Sequence, residues 1–286
     1  MKILVTGANG QLGSAVLRVP VEVGVQLIGM TRAELDITNE YHVKTVFETI
    51  HPDVILHCAA YTNVDQAEKD EMEAYRVNAI GTRNLCVAAE QLGAVFVYVS
   101  TDYVFDGGAT EPIDEWTPPS PIGVYGRSKL AGEQAVQQFH SKFFIVRTSW
   151  VFGHTGSNFV KTMLRLAEKK TELRVVDDQI GSPTYANDLA EAIVSLVRTK
   201  RYGIYHISNS GTVSWYEFAK EIFALKRIPA SIQPCTTAEF PTLAQRPKYS
   251  VLSHKGLQLN HFAPMRHWKE AIHAFLETEK DDRNSE

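Results

Sequence analysis

Lys2-Ile-Leu-Val-Thr-Gly-Ala-Asn-Gly-Gln-Leu-Gly13 is the stretch on which the fold turns. Lys2–Thr6 is a short, mostly apolar run that stops at a glycine, which predicts a buried strand. Gly7-x-x-Gly10-x-x-Gly13 follows, and the pattern after it predicts a helix from about Gln11 to Arg18, stopped near Pro20. Strand, glycine turn and helix in that order are the setting a dinucleotide fingerprint requires. Gly7 permits the tight turn, Gly10 lets the backbone approach a pyrophosphate, and Gly13 allows close helix packing. The helix N-terminus then faces the phosphates. A glycine-rich turn without a ligand is the plain alternative.

The same alternation continues outward. Gln26–Met30, Val54–Cys58, Ala94–Ser100 and Phe143–Arg147 read as further strands. Between them lie helical patterns: one running from Asp36–Asn39 to Thr49, one from Asp65 to Leu92 in two pieces, and one from Tyr125 to Phe139. Strands separated by helices predict a parallel sheet covered on both faces. The fold class expected is therefore α/β, a Rossmann-like doubly wound sheet with a smaller, mixed C-terminal substrate-binding domain. The expected division is 1–149 for the dinucleotide domain, completed by about 182–207, with 150–181 and 208–286 forming the substrate region. In that region Phe159–Glu168, Tyr185–Val197, Trp215–Leu225 and Met265–Leu276 read as helices and Gly203–Ile207 as a strand. Ser214 is placed to cap the third of these helices, with Glu217 closing a capping box. Pro229–Pro247 reads as loops with short strands, and the charged tail Glu277–Glu286 as frayed.

Composition narrows the function classes. The 286 residues are 44% hydrophobic and 22% charged, as in ordinary globular proteins. A net charge of −4 without any local Lys/Arg run speaks against a nucleic-acid partner. No apolar stretch is long enough to span a membrane, and Met1-Lys2 leads straight into the first strand rather than into a signal peptide. Cys58, Cys86 and Cys235 are odd in number and far apart, which gives neither a disulfide framework nor a zinc set and favours a cytoplasmic location. His206, His254 and His267 lack metal-ligand spacing, so no metal is expected.

Three places carry chemistry. The second strand ends Gly29-Met-Thr-Arg32, where an NAD site would want an acid on the ribose. Thr31 and Arg32 suit a 2′-phosphate instead, so NADPH is expected, with NADH as the alternative. The fourth strand ends at Ser100-Thr-Asp-Tyr103, and a hydroxyl there faces the ligand crevice, so Thr101 can donate to a carbonyl oxygen. Tyr125 and Lys129 are four apart and share a helix face. An ammonium beside a phenol favours the phenolate, so a depressed Tyr125 pKa is expected, which makes a proton donor usable near neutral pH.

Together, the glycine turn, Thr101 and Tyr125-x-x-x-Lys129 resemble the extended short-chain dehydrogenase/reductase family. Finer matches, to its reductases of nucleotide-linked keto-sugars, span nearly the whole chain. They include Cys58-Ala-Ala-Tyr-Thr-Asn-Val-Asp65, Val124-Tyr-Gly-Arg-Ser-Lys129, Arg147-Thr-Ser-Trp-Val-Phe152, Asp177-Asp-Gln-Ile-Gly-Ser-Pro-Thr184 and Arg246-Pro247. The resemblance implies Tyr125 as proton donor, Lys129 as its electrostatic partner and holder of the nicotinamide ribose, and Thr101 on the substrate oxygen. Gly7, Asn9, Gly10, Gln11, Leu12, Gly13, Asp36, Ile37, Ala59, Ala60, Tyr61, Thr62 and Val99 would line the cofactor. Thr101, Asp102 and Trp150 would contact a dTDP-sugar substrate, and Arg246 would grip its diphosphate. In some family members carboxylates support a magnesium-linked dimer; this chain has Ala15 where one is expected in the first helix, which speaks against that mode, and a monomer or homodimer is expected. A sugar-nucleotide epimerase with retained NAD and a non-catalytic regulatory subunit remain as rival readings.

Overall fold

A computed structural model of the chain describes residues 1–169 and 171–283. Its first half alternates β1 (Lys2–Thr6), α1 (Gln11–Val16), β2 (Gln26–Met30), α2 (Glu40–Ile50) and β3 (Val54–His57). A broken helical run follows: α3 (Val64–Ala67), α4 (Glu71–Tyr75), a π-helical turn over Arg76–Gly81 and α5 (Thr82–Leu92). Then come β4 (Val95–Thr101), α6 (Val124–Phe139) and β5 (Phe143–Thr148). The second half contains β6 (Val151–Phe152), α7 (Phe159–Ala167), β7 (Glu172–Val176), β8 (Ile180–Gly181), β9 (Thr184–Tyr185) and α8 (Ala186–Val197). It ends with β10 (Gly203–His206), β11 (Val213–Ser214), α9 (Trp215–Lys226), β12 (Ser231–Cys235), α10 (Lys255–Leu259) and α11 (Trp268–Arg283).

Six strands form one parallel sheet in the order β10-β5-β4-β3-β1-β2. The apolar runs lie where that order demands. Ile3, Leu4 and Val5 of central β1 are fully buried, because both faces of the strand are covered. α1 and α8 cover one face, packing Leu12, Val16, Leu189 and Ile193 onto Ile3 and Val5. α2, α5 and α6 cover the other, packing Phe47, Leu85 and Val136 around Leu4 and Ile55. Sequence order reverses between β1 and β3, so the crevice beyond their C-terminal ends is the fold's natural ligand position.

The second half builds its own core from α7, α9, α11 and β7, with Phe218, Ile222, Ile272 and Phe275 at its centre. Phe152 is buried there as a core aromatic. Three two-stranded sheets tie this part together: β6 with β9, β7 with β12, and β8 with β11.

Several boundaries differ from those expected. α1 stops at Val16 rather than Arg18. The run expected as two helical pieces between Asp65 and Leu92 does fall into two, α3 and a continuous stretch from α4 to α5, and the second carries the π-turn in its middle. α11 continues past Leu276 to Arg283 instead of fraying after Glu277, and residues 284–286 lie outside the described ones. Ser214 caps α9 by accepting from the Glu217 N–H at 3.1 Å, but the Glu217 carboxylate binds Lys220 rather than closing a box. Ala15 is buried against α8 and offers no surface position for a ligand.

Candidate active site

The C-terminal ends of β1, β3, β4 and β5 open into one cleft of about 680 Å³. Of the sequence-predicted site residues, all but Thr31 and Arg246 lie on its wall. The glycine turn forms one end. Gly7 sits at φ +67°, and a Cβ there would lie 2.8 Å from the Ala59 nitrogen. A Cβ on Gly13 would come 2.2 Å from the Gly7 carbonyl oxygen. The turn is thus pressed against the end of β3 with room for hydrogen only. Gly10, the N-cap of α1, makes no side-chain cap, which leaves the first N–H groups of that helix free of side-chain partners. A bare backbone cradle with uncapped N–H donors suits a pyrophosphate, so the residues present fit a dinucleotide.

At the end of β2, Arg32 lies on the rim, largely exposed and 3.9 Å from Glu73. Thr31 is a correction. Its N–H and its hydroxyl both donate to the Glu34 carboxylate, each at 2.8 Å, so it is turned away from the cleft. Asp36 does face the cleft, and its Oδ1 accepts from the Thr38 N–H and hydroxyl, which hold its carboxyl below the usual range. The Tyr61 backbone is fixed by Asn78 of the π-turn, which accepts from its N–H at 2.8 Å and donates to its carbonyl at 3.1 Å.

Thr101, Tyr125 and Lys129 converge on the middle of the cleft. Thr101 ends β4, donates to Asp102 Oδ1 at 3.1 Å, and hydrogen-bonds the Tyr125 phenol. Tyr125 stands in the first turn of α6, edge-on to Tyr103 with ring centres 5.5 Å apart. Lys129 donates to the Val99 carbonyl oxygen at 2.7 Å and lies over the Tyr98 ring. The expected depression of the Tyr125 pKa does not appear. Burial pushes the phenol up to about 12, against the Thr101 hydrogen bond, and burial pulls Lys129 down to about 7. Asp102 is 2% exposed with Oδ2 unpartnered, and burial raises its carboxyl to about 6 against hydrogen bonds from Ser250 and Thr101.

The far wall comes from the second half. Trp150, at φ +49°, stacks on Trp215 with ring centres 3.5 Å apart and planes 6° apart. Sequence reasoning missed Trp215, because it opens an amphipathic helix and reads as core. It also missed Thr148 and Ser149, although the rule that singled out Thr101, a hydroxyl at the end of a parallel strand, applies equally to them. Arg246 is the second correction. Its guanidinium is held by Asp65, with Nη2 at 2.8 Å from Oδ2 and Nη1 at 3.3 Å from Oδ1, rather than presented to the cleft.

A family model described as RmlD substrate binding domain matches residues 1–280. The chain is 46% identical over 276 residues to the spore coat polysaccharide biosynthesis protein SpsK of Bacillus subtilis (strain 168), covering 96% of this chain and 97% of that one. It is 41% identical over 285 residues to the dTDP-4-dehydrorhamnose reductase of Aggregatibacter actinomycetemcomitans, covering 95% and 97%. The crystal structure of the Bacillus anthracis str. Ames dTDP-4-dehydrorhamnose reductase in complex with NADP is similar with a TM-score of 0.95 at 49% identity, over 97% of this chain and 99% of that one. Matches that run from the glycine turn into the last helix show that the chain belongs to the RmlD substrate binding domain family, together with the dTDP-4-dehydrorhamnose reductases.

Proposed function

We propose that the chain reduces the C4 keto group of dTDP-4-dehydro-β-L-rhamnose with NADPH, giving dTDP-L-rhamnose for cell-surface polysaccharide, with NADH as a poorer cofactor. The observation that carries this is the meeting of Thr101, Tyr125 and Lys129 in a cleft whose other end is a bare glycine cradle. The cradle from Gly7 to Gly13 would hold the pyrophosphate, Arg32 the 2′-phosphate and Lys129 the nicotinamide ribose. When bound, the nicotinamide supplies the hydride.

The chain's own residues manage the proton and the charge. Tyr125 gives its phenol proton to the C4 oxygen as that oxygen becomes a hydroxyl. Thr101, on the same oxygen, polarises the carbonyl. Lys129 stabilises the phenolate that Tyr125 becomes. The high pKa of Tyr125 keeps it protonated until that moment. Asp102 and the Trp150 edge would orient the sugar. Residues 1–149 with 182–207 form the cofactor half on this reading, and 150–181 with 208–286 the sugar half. The reading places the chain in the cytoplasm as a monomer or homodimer; no described helix is long and apolar enough to cross a membrane.

The test is loss of NADPH absorbance with the keto-sugar. Tyr125→Phe should retain cofactor affinity and lose about a hundredfold to ten-thousandfold in turnover. Full turnover by that variant, or none by the parent when it is folded and binds NADPH, would sink the assignment.

A further inference from the structure

Lys129 is 2% exposed, yet among the described residues no carboxylate is in contact with it. Its Nζ donates to the Val99 carbonyl at 2.7 Å and lies 4.1 Å from the centre of the Tyr98 ring. A buried ammonium with only neutral partners tends to give up its proton. Cys58 and His57 of the β3 end face it as well, and neither supplies a negative charge, because burial keeps both neutral. Tyr125, one turn back along α6, is a neutral phenol. The carboxylate that acts on Lys129 belongs to Glu133, one turn further on and fully buried.

Glu133 is held with unusual completeness. Ser100 Oγ donates to Oε1 at 2.6 Å, Arg147 Nε donates to Oε1 at 2.9 Å, and Arg147 Nη2 donates to Oε2 at 2.7 Å. Ser100, Arg147 and His206 stand opposite one another in register on β4, β5 and β10. A polar row thus crosses three strands beneath α6, with the Phe105 ring 5.2 Å from the Arg147 guanidinium. A buried ion pair of this kind does not in general stabilise a fold more than apolar side chains of the same volume would. Fold stability therefore gives no reason for it, whereas its position gives one.

We propose that Glu133 is a positioning residue of the active site: clamped by Arg147 and Ser100, its carboxylate is the fixed counter-charge that keeps Lys129 an ammonium ion beneath Tyr125. Tyr125, Lys129 and Glu133 follow one another at four-residue spacing on one face of α6, so donor, cation and anion form a single file. The consequence for catalysis rests on the proposed role of Lys129. The charge state itself can be measured without substrate or cofactor.

Lysine ε-carbon NMR of the cofactor-free protein reads that state directly, with the Lys129 signal identified by its loss in Lys129→Met. In Glu133→Gln the Lys129 titration midpoint should fall by at least about one pH unit. The alkaline limb of keto-sugar reduction should move down with it. An unchanged midpoint overturns the proposal. Because Glu133→Gln strands Arg147 and can unfold the chain, the charge-balanced Glu133→Gln/Arg147→Met variant is measured beside it. Its midpoint should also lie below the parent's, since Glu133 shares a helix face with Lys129 one turn away whereas Arg147 comes from β5. A return to the parent value would assign the pair to folding alone and overturn the proposal. A shifted midpoint in a chain that reduces no keto-sugar would uphold the counter-charge and remove the proposed activity instead.

Discussion

Burial moves Tyr125 and Lys129 in opposite directions, the phenol up to about 12 and the ammonium down to about 7. The same dry surroundings disfavour the charged form of each, and for Lys129 that has a measurable consequence for stability. The unfolded chain holds the Lys129 proton up to about its ordinary 10.5, the folded chain only to about 7. Between those values the unfolded state binds more protons, so this group makes stability rise with pH. Lys129→Met removes the dependence. The variant should exceed the parent most below pH 7, with the gap closing toward 10.5, as read by urea unfolding across the window. A gap independent of pH would contradict the buried charge. Arg32 poses the opposite case, a largely exposed cation whose worth depends on a ligand. Arg32→Ala should raise the KM for NADPH by about tenfold or more and leave that for NADH nearly unchanged, since only the former has a 2′-phosphate to lose. Equal effects on both cofactors would reject its assigned role. The neighbouring Thr31 shows what sequence position cannot reveal: it stands at the right strand end, but Glu34 three residues later folds back onto it.

Among the elements, the glycine turn was the most legible because it has the fewest alternatives. Gly13 has no space for a methyl group, since its Cβ would lie 2.2 Å from the Gly7 oxygen. Gly10 is different: its Cβ would meet only that same oxygen, at 3.2 Å, and otherwise point into the open cleft. Gly13→Ala should therefore cost about 1–3 kcal/mol of stability as well as cofactor binding. Gly10→Ala should nearly keep the stability and still lose NADPH affinity, measured by fluorescence titration beside thermal unfolding. Equal destabilisation by the two would refute the distinction. The six parallel strands were legible for a related reason, since a strand buried on both faces must be apolar throughout. The π-turn at Arg76–Gly81 was not, because one extra residue in a helical turn leaves the apolar spacing almost intact. The two-residue strands β6, β8, β9 and β11 escaped too, being too short to show any period. Trp215 was readable as a helix start but not as cleft wall, because its partner Trp150 lies 65 residues earlier and only the fold stacks them.

In the whole molecule, the segment before α10 makes contacts with both halves of the chain. Ile113 bridges to Leu252, Tyr249 bridges to Ile180, and Asp65 of α3 binds both the Ala244 N–H and the Arg246 guanidinium. Arg246 also hydrogen-bonds Tyr103, which lies on the cleft wall beside Tyr125. Two roles for Arg246 follow, and they separate cleanly. If the guanidinium meets the diphosphate directly, as its sequence context suggested, Arg246→Ala weakens sugar binding while Asp65→Asn spares or improves it by releasing the arginine. If the pair is a latch that sets the position of Tyr103, either substitution alone does the damage and the double variant adds little. The bidentate geometry favours the latch. Both single variants should raise the KM for the dTDP-sugar several-fold and leave the NADPH Kd unchanged. The stability cost should stay within about 1 kcal/mol, because Asp65 is 42% exposed and solvent screens the pair. A rise confined to Arg246→Ala would return the arginine to the diphosphate and require the segment to swing inward when the sugar binds.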